Sequence, residues 1–118
     1  MSPPNPPRAA DTYFIPAGVG SHHQIFPGVE IVTNATSGLM LSVVTLEPHS
    51  VVQEHSHPHE QMGLLVSGRL EFTIDGVTRI LTPGDAWKIP GGVVPRVVTL
   101  EERSVALDVF HPVRDDYL

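Results

Sequence analysis

No window of a dozen residues in this chain sustains helical periodicity free of glycine and proline. Short apolar runs alternate instead with turn-forming residues, which is how strands are written. Leu39 to Leu46 stops at Glu47-Pro48, and Gln61 to Val66 stops at Ser67-Gly68. Arg69 to Ile74 and Val77 to Leu81 flank Asp75-Gly76, a hairpin signal because a type I′ turn needs positive φ at both central residues. Asp85 to Ile89 ends at Pro90-Gly91-Gly92, Val94 to Leu100 at Glu101-Glu102, and Ser104 to Phe110 at His111-Pro112. At least seven strands in one short domain form a sandwich or a closed barrel, since a single flat sheet would leave an apolar face and its edges open. The expected class is all-β.

At 118 residues the chain makes one domain, and 41% hydrophobic with 17% charged residues suits a folded protein. Residues 1–12 are read as a flexible Pro-rich tail, on the strength of Pro3-Pro4-Asn5-Pro6-Pro7, and residues 13–118 as the β-barrel domain. A net charge of −6 with scattered basic residues argues against a nucleic-acid partner. No apolar run approaches the roughly 20 residues of a membrane helix, and the N-terminus has no signal-peptide core. Cysteine is absent, so disulfides and thiolate sites are excluded and any metal must use imidazole, carboxylate or amide ligands. A cytoplasmic protein is expected.

The densest cluster of metal-ligand chemistry is His55-Ser56-His57-Pro58-His59-Glu60-Gln61. Strand alternation puts His55 and His57 on one face, which is half of a transition-metal site. Gln61 shares that parity, with Pro58 interrupting; His59, Glu60 and the more distant His49 compete as third ligand. Imidazole and amide oxygen without sulfur suit a divalent Zn, Ni, Fe, Mn or Co.

The order His55, His57, Gln61, Gly68, followed by Gly84, Pro90 and Gly92, resembles the two motifs of the cupin superfamily. The resemblance implies a single-domain cupin jelly-roll β-barrel of the RmlC-like kind, with His55, His57 and Gln61 as metal ligands. It departs at Pro95, which stands where the second motif carries a histidine. Three readings of that departure stay open: an open site completed by water or substrate oxygen, a substitute ligand such as His111, or a site that has lost its metal.

The run from Leu107 to Leu118 is similar to the end of the pectin-degradation cupins, enzymes that open the ring of unsaturated monouronates. In that group a glutamine replaces the acidic ligand. The resemblance implies that Asp108, Phe110 and Arg114 serve the substrate: Asp108 moving a proton, Arg114 gripping a carboxylate, Phe110 packing against the ring. An amide in place of a carboxylate leaves the ion one unit more positive, weaker in retention and stronger as a Lewis acid. Residue by residue, other readings compete: an ion pair for Asp108, core packing for Phe110, a solvated tail or dimer contact for Arg114. Trp87, the lone tryptophan, either packs the barrel or lines a sugar face; the directions of Met40 and Phe72 stay open.

The leading expectation is a non-redox isomerase or ring-opening enzyme for a small sugar acid. The alternatives are an Fe(II) dioxygenase, which Gln61 disfavours because the usual facial site has a carboxylate, and a non-catalytic small-molecule-binding barrel, which Pro95 favours. The expected partner is a second copy of the chain, a homodimer, and the segment before Leu39, with His22, His23 and Phe26, is a candidate for a strand exchanged between copies.

Overall fold

The computed structural model describes residues 13–53 and 57–118; the expected tail at 1–12 lies outside them. Ten strands follow in order: β1 (Ser21–Phe26), β2 (Val29–Ala35), β3 (Met40–Leu46), β4 (Val51–Gln53), β5 (Glu60–Ser67), β6 (Leu70–Ile74), β7 (Val77–Leu81), β8 (Ala86–Ile89), β9 (Pro95–Thr99) and β10 (Ser104–His111). They form two antiparallel sheets, a six-stranded one in the order β1-β2-β3-β10-β5-β8 and a four-stranded one in the order β4-β9-β6-β7. This is the all-β class expected from the turn pattern and the jelly roll implied by the cupin resemblance.

Each strand's inward face supplies the core between the sheets. On β3, Met40, Ser42, Val44 and Leu46 are buried while Leu41 and the other alternate residues are not. Leu65, Leu70, Ile89 and Met40 are fully enclosed, each contributing about 1.5–3 kcal/mol by leaving water. The β6–β7 hairpin closes as expected, with Asp75 at φ 50° and Gly76 at φ 77° and with Ile74 facing Val77 across the turn.

Three strands were not legible in the sequence. The segment with His22, His23 and Phe26 is β1, and it pairs with β2 of its own chain, which in turn pairs with β3. It extends the six-stranded sheet at the β2 side. Its signal is weak because every other residue is polar or half-exposed at the sheet edge. The third, β4, has only three residues and finds its partner, β9, far along the chain.

Gly68, which follows β5, has φ +89°, and a methyl group there would collide with the Ser104 side chain and backbone. Gly68→Ala is expected to cost at least about 1–3 kcal/mol, the strain of a left-handed non-glycine residue. Thermal unfolding monitored by circular dichroism should show Tm lower by about 5 °C or more; an unchanged Tm would show that this turn rearranges freely.

Candidate metal and substrate site

Four neighbouring strands of the large sheet, β3, β10, β5 and β8, carry the site. Asp108 on β10 sits opposite Ser42 on β3 and Gly63 on β5, and Gly63 sits opposite Trp87 on β8. One step along the same face, Phe110 is opposite Gln61, which is opposite Ile89. The structure therefore brings Asp108, Phe110 and Gln61 onto the inner face, where with Trp87, Pro95 and Tyr117 they border an interior cavity of about 50 Å³. That is room for a few water-sized groups.

Asp108 accepts a hydrogen bond from the indole Nε1–H of Trp87 at 2.8 Å. Trp87 is buried against Phe72, their ring centroids 4.8 Å apart, so it packs the barrel, and it also lines the cavity. Phe110 is 3% exposed and lies edge-on to Tyr117, centroids 6.0 Å apart.

Arg114 is neither a solvated tail residue nor extended toward the surface. It is buried, its guanidinium carbon 3.9 Å from the Tyr117 ring centroid and 5.3 Å from that of Phe110. Asp116 takes both prongs, from Nε at 3.3 Å and from a terminal nitrogen at 2.9 Å. The short 3-10 turn Asp115–Tyr117 folds this cluster over the end of the barrel. The Tyr117 carbonyl anchors it, accepting hydrogen bonds from the Thr33 hydroxyl and from His23 Nε2, the latter at 3.1 Å.

The histidine segment is described from His57 onward; His55 lies outside the described residues. His57 precedes β5 rather than belonging to a strand, so strand alternation does not govern its direction relative to Gln61. Its ring lies 6.3 Å from that of Phe110 and 5.4 Å from that of His59. The segment is pinned from the second motif: the Gly92 N–H donates to the His57 carbonyl at 2.8 Å, and a Cβ on Gly91 would come within 2.6 Å of the Pro58 carbonyl oxygen. Glu60 is exposed, on the opposite face from Gln61. His111 is also exposed, its Nδ1 2.9 Å from the Gly38 carbonyl oxygen, on the face opposite Phe110; it does not stand in for the histidine missing at Pro95.

Among the described residues no three His, Cys, Asp or Glu side chains cluster as metal ligands. Gln61 nevertheless carries a buried amide oxygen that no hydrogen-bond donor reaches among the described residues. Such an oxygen costs about 1–3 kcal/mol unless something satisfies it, and a cation does so directly. The donor chemistry fits a divalent ion held by Gln61 with imidazole, while Pro95, buried on the same cavity, supplies no ligand.

Sequence reasoning missed Gly63, Ser42 and Tyr117 as parts of the site. Gly63 had a readable signal, since a glycine inside a strand marks close approach of something else. Ser42 is the one polar residue in the buried series of β3. Tyr117 had none: its place depends on the chain turning back over the barrel.

The two-sheet barrel is all-β, and residues 42–110 match the Cupin domain family; the chain belongs to that family. Within it, the chain is similar to KdgF. It is 37% identical over 81 residues to the pectin degradation protein KdgF of Dickeya dadantii (strain 3937), spanning 68% of this chain and 74% of that one. The structure of KdgF from Halomonas sp. matches with a TM-score of 0.76 at 35% identity, covering 82% of this chain and 92% of that one. An RmlC-like cupin from Shewanella frigidimarina NCIMB 400 shares the fold, with a TM-score of 0.81 at 24% identity over 90% of this chain and 96% of that one. Among the described residues no helix is long and apolar enough to cross a membrane.

Proposed function

We propose that this cupin opens the ring of a small unsaturated sugar acid to the linear keto form, using a divalent metal held by His55, His57 and Gln61. One observation carries the reading: Asp108, Phe110 and Gln61, whose buried amide oxygen has no donor among the described residues, line one interior cavity in a chain similar to a pectin degradation protein. When bound, the ion supplies Lewis-acid polarisation of a substrate oxygen.

The reaction is an isomerisation. The ring carbon–oxygen bond breaks, a hydroxyl loses its proton and an alkene carbon gains one, so atoms and electrons balance without a redox partner. Asp108 suits the proton transfer because it lies at a largely apolar cavity wall with its carboxylate held in place. Phe110 offers an apolar surface to the sugar ring. Arg114 offers a planar fork matched to a carboxylate, which Asp116 occupies in the structure. A cavity of about 50 Å³ is smaller than a monosaccharide needs, so binding calls for the turn carrying Arg114 and Tyr117 to yield.

Incubating metal-replete protein with unsaturated monouronate and following loss of the alkene absorbance tests the proposal. Acceleration over the uncatalysed rate is expected, and Arg114→Lys, which keeps charge but loses the fork, should raise KM about tenfold or more with less effect on kcat. No acceleration would remove this substrate. A second reading, a non-catalytic binding barrel, is favoured by Pro95; purified protein with metal content near zero after growth in supplemented medium would support it.

The reading includes a homodimer in the cytoplasm, where a cysteine-free chain is at home. The support is the outer face of the large sheet, where Leu41, Val109 and Met62 form one row and Val43, Leu107 and Leu64 the next. Met62 is 59% exposed, and a contiguous apolar face of this kind marks an interface. Light scattering should give twice the 12.8 kDa chain mass, and Met62→Glu should return the monomer. A monomeric parent protein would rule out this use of the face.

A further inference from the structure

Residues two strands apart in a sheet are separated by roughly 10 Å, so their side chains do not ordinarily meet across the strand between them. Asp108 on β10 and Trp87 on β8 are such a pair, with β5 between, yet the indole N–H reaches the carboxylate at 2.8 Å. They meet because the intervening residue on that rung is Gly63. A Cβ built there would fall on both Trp87 Nε1 and Asp108 Oδ1.

We propose that Trp87 and Gly63 together are the positioning device for Asp108: Gly63 leaves the gap, and Trp87 reaches through it to fix the carboxylate against the cavity. Trp87 is itself held by Phe72 on the opposite sheet, with ring centroids 4.8 Å apart. Asp108 is thus aimed by a side chain from one strand through the backbone of another, while the core sets the angle. The inference rests on the reading that Asp108 moves a proton, and it adds two positioning residues.

Trp87→Phe keeps an aromatic ring against Phe72 and removes only the donor and one ring. With metal-replete protein and unsaturated monouronate, kcat should fall about 10- to 100-fold with KM within about twofold, the mark of a misaligned group rather than a lost binding contact. Gly63→Ala should lower kcat similarly by pushing the indole and carboxylate apart. The double variant should lose less than the product of the two single losses, because both changes disturb the same contact, even though the added methyl also presses on Asp108 Oδ1 directly. Circular dichroism confirms folding of each variant.

The proposal is overturned if Trp87→Phe keeps kcat within twofold, if the loss appears in KM, or if the double variant multiplies the two single losses. Should the parent protein open no ring, the assigned activity fails, and the tether is read from fluorescence instead. Trp87 is the only tryptophan, so Asp108→Ala, which removes the acceptor, should shift its emission maximum by several nanometres. An unshifted emission overturns the tether in either case.

Discussion

Asp108→Asn is expected to reduce kcat for ring opening by about 10²- to 10⁴-fold, the range over which a positioned proton-transfer group contributes. Asparagine has the same shape and retains an oxygen that accepts from the Trp87 indole, so the hydrogen bond at 2.8 Å in the parent protein need not be lost. Tm should stay within a few degrees, since the volume is unchanged and the acceptor for the indole is kept. An amide cannot take up a proton at any working pH, so the chemical step alone loses its group. KM should change little, because the carboxylate of Asp108 is not asked to bind an anionic substrate. Following the alkene absorbance across substrate concentrations separates the two constants. A variant that turns over at the parent rate would remove Asp108 from the chemistry and leave it a structural partner of Trp87.

Pro95→His is expected to raise metal retention about tenfold or more. Partners that only orient a ligand are typically worth 10- to 100-fold in metal affinity, and a direct imidazole ligand should match at least the lower end. Position 95 suits the change. It is buried at the start of β9, opposite Ile74 of β6, and borders the same cavity as Gln61. A histidine there would bring an imidazole nitrogen to the cavity that Gln61 also lines. It would also add a backbone N–H that proline does not have. The measurement is metal per chain after dialysis against a weak chelator, parent and variant loaded identically. Equal retention would mean that the ion is not held on the Gln61 side of the cavity, and the assignment of Gln61 as a ligand would fall with it.

Much of the fold was legible because its signals are local. Asp75-Gly76 specifies a hairpin through the φ values of two adjacent residues. The alternation of Met40, Ser42, Val44 and Leu46 against Leu41 reports which face of β3 is inward. Edge strands were harder: β1 and β4 bury little of their own and take their identity from β2 and β9. The parity of Asp108 and Phe110 on one face was legible for the same reason as β3. The relation of His57 to Gln61 was not, because His57 lies before β5 begins and strand alternation stops there.

The residues alone therefore determined the all-β class, most strand limits, the spacing of the motif residues and the loss of a donor at Pro95. These follow from backbone preferences and side-chain chemistry within a few residues. Only the tertiary structure decided that Trp87 reaches Asp108 across Gly63, that Arg114 folds onto Tyr117 and Asp116, and that β1 joins its own sheet. Each depends on which strands lie side by side and in what register. That choice is made by burying the whole inner face at once, so it is not encoded at any one position along the chain.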